Sequence, residues 1–151
     1  MSYVVDTNLL IRSVEKCHPK QQVSQDAINA LLLRGETVCV FPQNLYEFWV
    51  VATRPLANNG LGLDVADALI RLTCFEQLLV LKLDRPELYS EWKQLVVSQA
   101  VKGKPAHDAR IAAAMQVHGV THLLTFNGDD FKRFQNITIV TPDDVLNPQT
   151  P

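Results

Sequence analysis

A chain of 151 residues, 47% of them hydrophobic, is long enough to bury one well-formed core and too short for two ordinary domains. No apolar run reaches the roughly 18 residues of a membrane span, and the opening MSYVVDTNLL lacks the basic start and small-residue cleavage site of a secretory leader, so a cytoplasmic protein with no membrane partner is expected. The net charge of −2 excludes a uniformly basic surface, although acids gathered around cations would still leave room for local basic patches that meet phosphate.

Taken in chain order, strands and helices alternate without an internal repeat. Ser2 to Val5 reads as a short apolar strand ending at Asp6, and a helical turn or two, Thr7 to Val14, begins directly after it. Pro19 opens a longer helix whose apolar side carries Val23, Ala27, Ala30, Leu31 and Leu33, and Arg34-Gly35 stops it. Thr37 to Phe41 is a second strand. Pro42 suits the first turn of a helix that bears Leu45, Glu47, Phe48 and Ala52 and ends before Pro55. Leu56 to Leu63, rich in Asn and Gly, reads as a flexible loop, followed by a helix from Asp64 to about Phe75 and a strand from Leu78 to Leu81. A helix from about Arg85 to Val101, the turn Lys102 to Pro105 and an alanine-rich helix from Ala106 to Val117 come next. His122 to Thr125 and Ile137 to Val140 are the last strands. Residues 1–147 form one domain, and 148–151 a flexible tail. Strands separated by helices need crossover connections, which predicts an α/β fold, a three-layer α/β/α sandwich with a mostly parallel sheet of about five strands.

That architecture says where a site belongs, because ligands of open parallel sheets bind at the carboxyl ends of the strands. Asp6 follows the first strand, and Asp130 follows the strand ending at Thr125 within one short loop. Glu47 and Asp108 arrive on helices. Val50 and Val51 lie three and four residues beyond Glu47, and Ala112 and Met115 four and seven beyond Asp108, so both acids fall on apolar stripes. An ionised carboxylate taken out of water needs a partner, and a hard divalent cation such as Mg²⁺ or Mn²⁺ prefers such oxygens. Each acid also has a local use open to it: Asp6 as an N-cap, Asp108 as a first-turn acid, Asp130 as a cap or turn residue, Glu47 in a rim salt bridge.

The segments VVDTNLL at the start, LYEFWVV in the middle and HDARIAAAMQVHGVTHLLTFNGDDF near the end resemble the signature blocks of the PIN-domain family, in particular the VapC-type toxin ribonucleases. The likeness spans essentially the whole chain. Its first block occurs in many α/β proteins, whereas the third, with its Asp, alanine-rich helix, strand and Thr-x-Asn-x-x-Asp-Phe ending, is specific. The resemblance implies a compact nuclease domain that cleaves RNA endonucleolytically with one or two Mg²⁺ or Mn²⁺ ions, a homodimer, and a cognate antitoxin as partner. It carries the family's four acids onto Asp6, Glu47, Asp108 and Asp130, and its supporting polar positions onto Thr7, Asn8, Thr125 and Asn127. Asp129 competes for the fourth place, but Asp130 is the one that precedes Phe131. Glu47 stays open as a metal ligand or as the general base.

Other chemistries have less to stand on. No serine occupies a Gly-x-Ser-x-Gly elbow, nothing resembles the Cys/His quartet of a zinc site, and Cys17, Cys39 and Cys74 read as reduced thiols. His107 could orient Asp108, contact phosphate or cap its helix. Arg12, Lys16, Lys20, Lys102, Lys104 and Arg110 are the candidate phosphate contacts, and Tyr46, Phe48 and Trp49 could stack on bases or belong to the core. Two rival classes remain: a haloacid-dehalogenase-like phosphatase with Asp6 as nucleophile, against which Asn8 stands where a second aspartate is needed, and a catalytically silent binding module.

Overall fold

The computed structural model describes residues 1–149, so the last two residues of the expected tail lie outside the described residues. Five strands, β1 (Ser2–Val5), β2 (Thr37–Val40), β3 (Val80–Leu81), β4 (His122–Leu124) and β5 (Thr138–Val140), pair in the order β3-β2-β1-β4-β5, every pair parallel. Among the described residues seven α-helices connect or follow them: α1 (Thr7–Val14), α2 (Gln21–Leu33), α3 (Pro42–Thr53), α4 (Val65–Leu78), α5 (Leu88–Ser98), α6 (Pro105–His118) and α7 (Pro142–Leu146).

The period of two along the strands sorts their side chains into two cores. Tyr3 and Val5 of β1, Val38 and Val40 of β2 and Leu124 of β4 join Leu9, Leu10, Ile28, Leu31, Phe48 and Phe75 from α1 to α4 on one face. Val4, Cys39 and Leu123 point the other way, against Leu88 of α5 and the run Ile111 to Met115 of α6. The sheet is thus covered on both sides, the three-layer arrangement that crossover connections demand. Ala109, Ala112, Ala113 and Ala114 are all buried, so the short side chains of α6 let it settle close to the sheet.

Central β1 is flanked by β2 on one side and β4 on the other, so the chain reverses its winding there and leaves a crevice at the carboxyl ends of β1 and β4. The Asp6 N–H donates to Leu124 O (2.9 Å), extending the β1–β4 ladder by one residue and fixing the position from which the first acid starts.

Several boundaries move from those read in the sequence. Helix α2 begins at Gln21, because His18 to Lys20 form a turn in which Lys20 N–H donates to His18 Nδ1. Helix α4 continues to Leu78 and shortens β3 to two residues, and α5 spans only Leu88–Ser98. Helix α7 was not anticipated. It is five residues long, and the reciprocal bonds Thr141 N–H to Asp144 Oδ2 (2.8 Å) and Asp144 N–H to Thr141 Oγ1 (3.2 Å) close a capping box whose Thr-Pro-Asp-Asp spelling is visible in the sequence. Among the described residues no helix is long and apolar enough to cross a membrane.

The segment expected to be a flexible loop is instead tied to α3. A 3₁₀ turn occupies Leu56–Asn58, and the N–H groups of Leu61, Gly62 and Leu63 donate to the carbonyls of Val51, Arg54 and Ala52 at 2.9–3.0 Å. Gly60 is buried where a Cβ would run into the Arg54 carbonyl, so the glycine is needed for close backbone approach. Gly60→Ala is therefore expected to cost about 1–3 kcal/mol, as overpacking does, read as a lower denaturation midpoint at unchanged slope.

Candidate active site

The first acid is set by local chemistry. Asp6 caps α1, accepting from Thr7 N–H on Oδ1 (2.8 Å), while Oδ2 accepts from Thr125 Oγ1 (2.7 Å) and Asn8 Nδ2 (3.3 Å). Asn8 Nδ2 also reaches Thr125 Oγ1 (3.1 Å), which in turn receives the Asn127 N–H (3.1 Å). Thr7, Asn8 and Thr125 therefore hold Asp6 without carrying charge. The Asn127 side chain is exposed, and only its backbone enters this network. A donor at Asn8 also leaves no second acid beside Asp6 for a phosphoaspartate mechanism.

Glu47 is reached from α3 and is clamped at both oxygens. Thr7 Oγ1 donates to Oε2 (2.9 Å) and Gln43 Nε2 to Oε1 (2.9 Å). Gln43, buried one turn earlier, also donates to His107 O (2.9 Å) and accepts from Arg110 (2.9 Å), so a single amide joins α3 to the start of α6. Asn44 supports the same corner: its Nδ2 donates to Thr7 Oγ1 (3.4 Å), and its Oδ1 accepts the Phe41 N–H (2.8 Å) at the helix start. Sequence reasoning missed both residues. Their signals were present, Gln43 four residues before Glu47 and Asn44 at the third position of its helix.

Glu47, Asp108 and Asp130 line one cavity of about 840 Å³, with Thr7 and Asn8 on its wall and Arg54, Lys104 and Arg110 also facing it. Asp6 is not on that wall, yet it is close enough for its charge to act on Asp108. The apolar stripe expected beside Glu47 is corrected here, since Val50 is 55% exposed and lines the cavity with Val51 rather than entering the core. The stripe beside Asp108 does enter the core through buried Ala112 and Met115. Asp129 stays outside, pairing with Lys132 at 2.7 Å on the surface. Gly128 packs where a Cβ would meet Ile139 of β5, which anchors the turn that presents Asp130.

Of the basic residues picked out in the sequence, Lys104 and Arg110 reach the cavity, Arg12 pairs with Glu15, and Lys20 sits over the Phe126 ring at 4.7 Å. Arg54 had no distinguishing signal. Phe48 is fully buried and stacks edge-on with Phe75, so it belongs to the core.

The charge of this cluster is uncompensated. None of the four acids takes part in an ion pair among the described residues. Burial, followed by the charges of Asp130, Asp6 and Glu47, pushes the Asp108 carboxyl up to about 6, with His107 pulling slightly the other way. Burial also raises Asp6, opposed by the Thr125 and Thr7 hydrogen bonds and reinforced by Glu47 and Asp130. Hard oxygen donors of like charge facing one cavity suit a divalent cation in kind and in sign. As the side chains stand, no three His, Cys, Asp or Glu among the described residues converge on one metal position, so what the fold gathers here is charge.

A sequence profile of the PIN domain matches residues 3–137. The chain belongs to the PIN domain family. The PIN fold is shared with VapBC2 from Rickettsia felis, solved with a DNA fragment from its promoter (TM-score 0.69, 18% identity, 93% of this chain and 98% of that one). It is shared as well with a toxin–antitoxin complex from Klebsiella pneumoniae (0.60, 18%, 93% and 97%). A third relative in fold is Mycobacterium tuberculosis VapC20, a sarcin–ricin-loop-cleaving toxin (0.60, 16%, 85% and 92%). No curated protein matches the chain. At such identities the likeness is one of fold, and it agrees with the α/β/α sandwich expected from the sequence.

A raised carboxyl binds its proton more tightly in the folded state, so its ionisation costs stability as pH climbs from the ordinary 3.8 to about 6, above which the cost is constant. In chelator, thermal unfolding should show the wild-type protein gaining stability as pH falls from 7.5 to 5 relative to Asp108→Asn. The variant should be the more stable of the two at pH 7.5, with the gap narrowing steadily below about pH 6 and closing only as pH falls past about 3.8.

Proposed function

We propose that this PIN domain is an Mg²⁺- or Mn²⁺-dependent endoribonuclease, acting in the cytoplasm as the toxin of a type II toxin–antitoxin pair, restrained by a cognate antitoxin and working as a homodimer. The observation that carries the reading is that Glu47, Asp108 and Asp130, from three separate segments, line one cavity while Asp6, at the carboxyl end of β1, lies near enough for its charge to act on Asp108, with no ion pair to any of the four among the described residues. Family membership supports hydrolysis of phosphodiesters, and the toxin and antitoxin roles are supported by what the Klebsiella complex and VapC20 are described as.

A divalent ion, once bound, supplies a lowered pKa for water and a counter-charge for phosphate. Asp6, Asp108 and Asp130 would hold it. Asp6 is the most rigid of these, since both its oxygens are engaged by Thr7, Asn8 and Thr125. Glu47, held by Thr7 and Gln43 at the cavity wall, either completes the ligand set or accepts the proton of the attacking water, and its fixed rotamer serves both roles. Arg54, Lys104 and Arg110 on the rim give the negative backbone somewhere to bind before it meets the acids, which would otherwise repel it. No side-chain nucleophile is needed, so no covalent intermediate forms.

Digestion of total cellular RNA with end mapping tests this directly. Cleavage should require Mg²⁺ or Mn²⁺ and stop in chelator, and Asp6→Asn and Asp108→Asn should each lose at least a hundredfold in rate while keeping the circular dichroism spectrum of the parent. A phosphate trapped on Asp6, or variants as active as wild type, would defeat the proposal. Gln43→Ala should lower kcat about tenfold or more by freeing Glu47, a positioning effect that Gln43→Glu does not rescue because it sets a second negative charge against the first. Light scattering after size exclusion should give a dimer mass, and a monomer at high concentration would remove that part of the reading.

A further inference from the structure

On the other side of the α6 amino end from the acid cavity lies a second, mostly apolar cleft of about 500 Å³, within the range of pockets that enclose small organic groups. His107 and Arg110 line both cavities, so the two adjoin at the start of the helix that carries Asp108. The cleft is walled by Tyr89 and Trp92 of α5, whose ring centroids are 6.0 Å apart with planes at 34°. Trp92 is fixed by its indole N–H, which donates to Ala106 O (2.8 Å), whereas Tyr89 is 68% exposed and supports no core. Arg110 is held between Asp84 (2.6 Å) and Gln43, and Arg85 stands on the far rim.

We infer that this aromatic cleft seats one unpaired base of a single-stranded RNA whose neighbouring phosphate lies at the acid cavity. The inference rests on the ribonuclease reading above. Exposed aromatic faces offer a base what it loses on leaving a helix stack, and they do so for any base because each has a π-face. Arg85 supplies positive charge to the cleft, where Arg110 is already paired with Asp84, and the meeting of the two cavities at His107 and Arg110 would set base and scissile phosphate side by side. A free nucleotide or an apolar protein segment would use the same walls without needing the acids, so contiguity with the acid cavity is what selects RNA.

Tyr89→Ala, at an exposed position, leaves the core intact. Against a labelled single-stranded oligoribonucleotide it should lower kcat/KM about five- to a hundredfold through KM, the effect of one lost base stack, with kcat within twofold and Tyr89→Phe restoring the parent values. Binding is measured separately by fluorescence anisotropy in the Asp108→Asn background, where hydrolysis is blocked. There an oligonucleotide abasic at one position should bind as weakly as the intact strand binds the Tyr89→Ala protein, and the two changes together should add little further loss. If RNA is cleaved but Tyr89→Ala and every abasic position leave KM unchanged, the subsite is overturned and the ribonuclease stands. If no RNA is cleaved yet the anisotropy pattern holds, the subsite stands and the hydrolase falls. An oligonucleotide bound by neither protein, or a shift of oligomeric state on Tyr89→Ala without any effect on RNA, overturns the subsite.

Discussion

Unbalanced negative charge at the carboxyl ends of β1 and β4 is the constraint around which this molecule is organised. The surroundings answer it with neutral donors. Thr7, Asn8 and Thr125 hold Asp6, and Thr7 and Gln43 hold Glu47, so the carboxylates are fixed in direction without being cancelled in charge. Were arginines to replace these donors, each acid would be more comfortable and the cluster would have nothing left with which to attract a cation. The raised Asp108 is the cost of that choice, and it is tolerable because the group is only partly buried.

Rigidity of the site follows from the way its parts share anchors. Thr7 is bonded to Glu47 and Asn44, Thr125 to Asp6, Asn8 and the Asn127 backbone, and Gln43 to Glu47, His107 and Arg110. The carboxyl ends of β1 and β4 and the starts of α1, α3 and α6 are therefore tied into one hydrogen-bonded network. Two glycines serve the same end from outside: Gly60 lets the 56–63 segment lie against α3, and Gly128 lets the turn carrying Asp130 lie against β5. The surface around the acid cavity is basic on its rim and aromatic beyond the head of α6.

Much of this was legible from the residues alone. Short apolar runs separated by helices long enough to cross over leave few alternatives to a parallel sheet with both faces covered, and the acids following its strands then have one end at which to meet. Element edges were less legible, because α4 running on to Leu78 and α7 forming at all depend on packing and on a short capping box rather than on periodicity. The 56–63 segment was misjudged for a related reason: its Asn and Gly residues signal turns, but its order comes from backbone bonds to α3, which composition does not encode.

By itself the sequence determined the architecture, since short apolar strands and helices long enough to cross over are local properties of the chain. Tertiary structure alone decided that Asp130 rather than Asp129 faces the cavity, that Val50 lines it instead of the core, and that Gln43 ties Glu47 to the head of α6. Those three outcomes depend on which way a side chain turns once distant segments are packed together, and the direction is set by partners dozens of residues away.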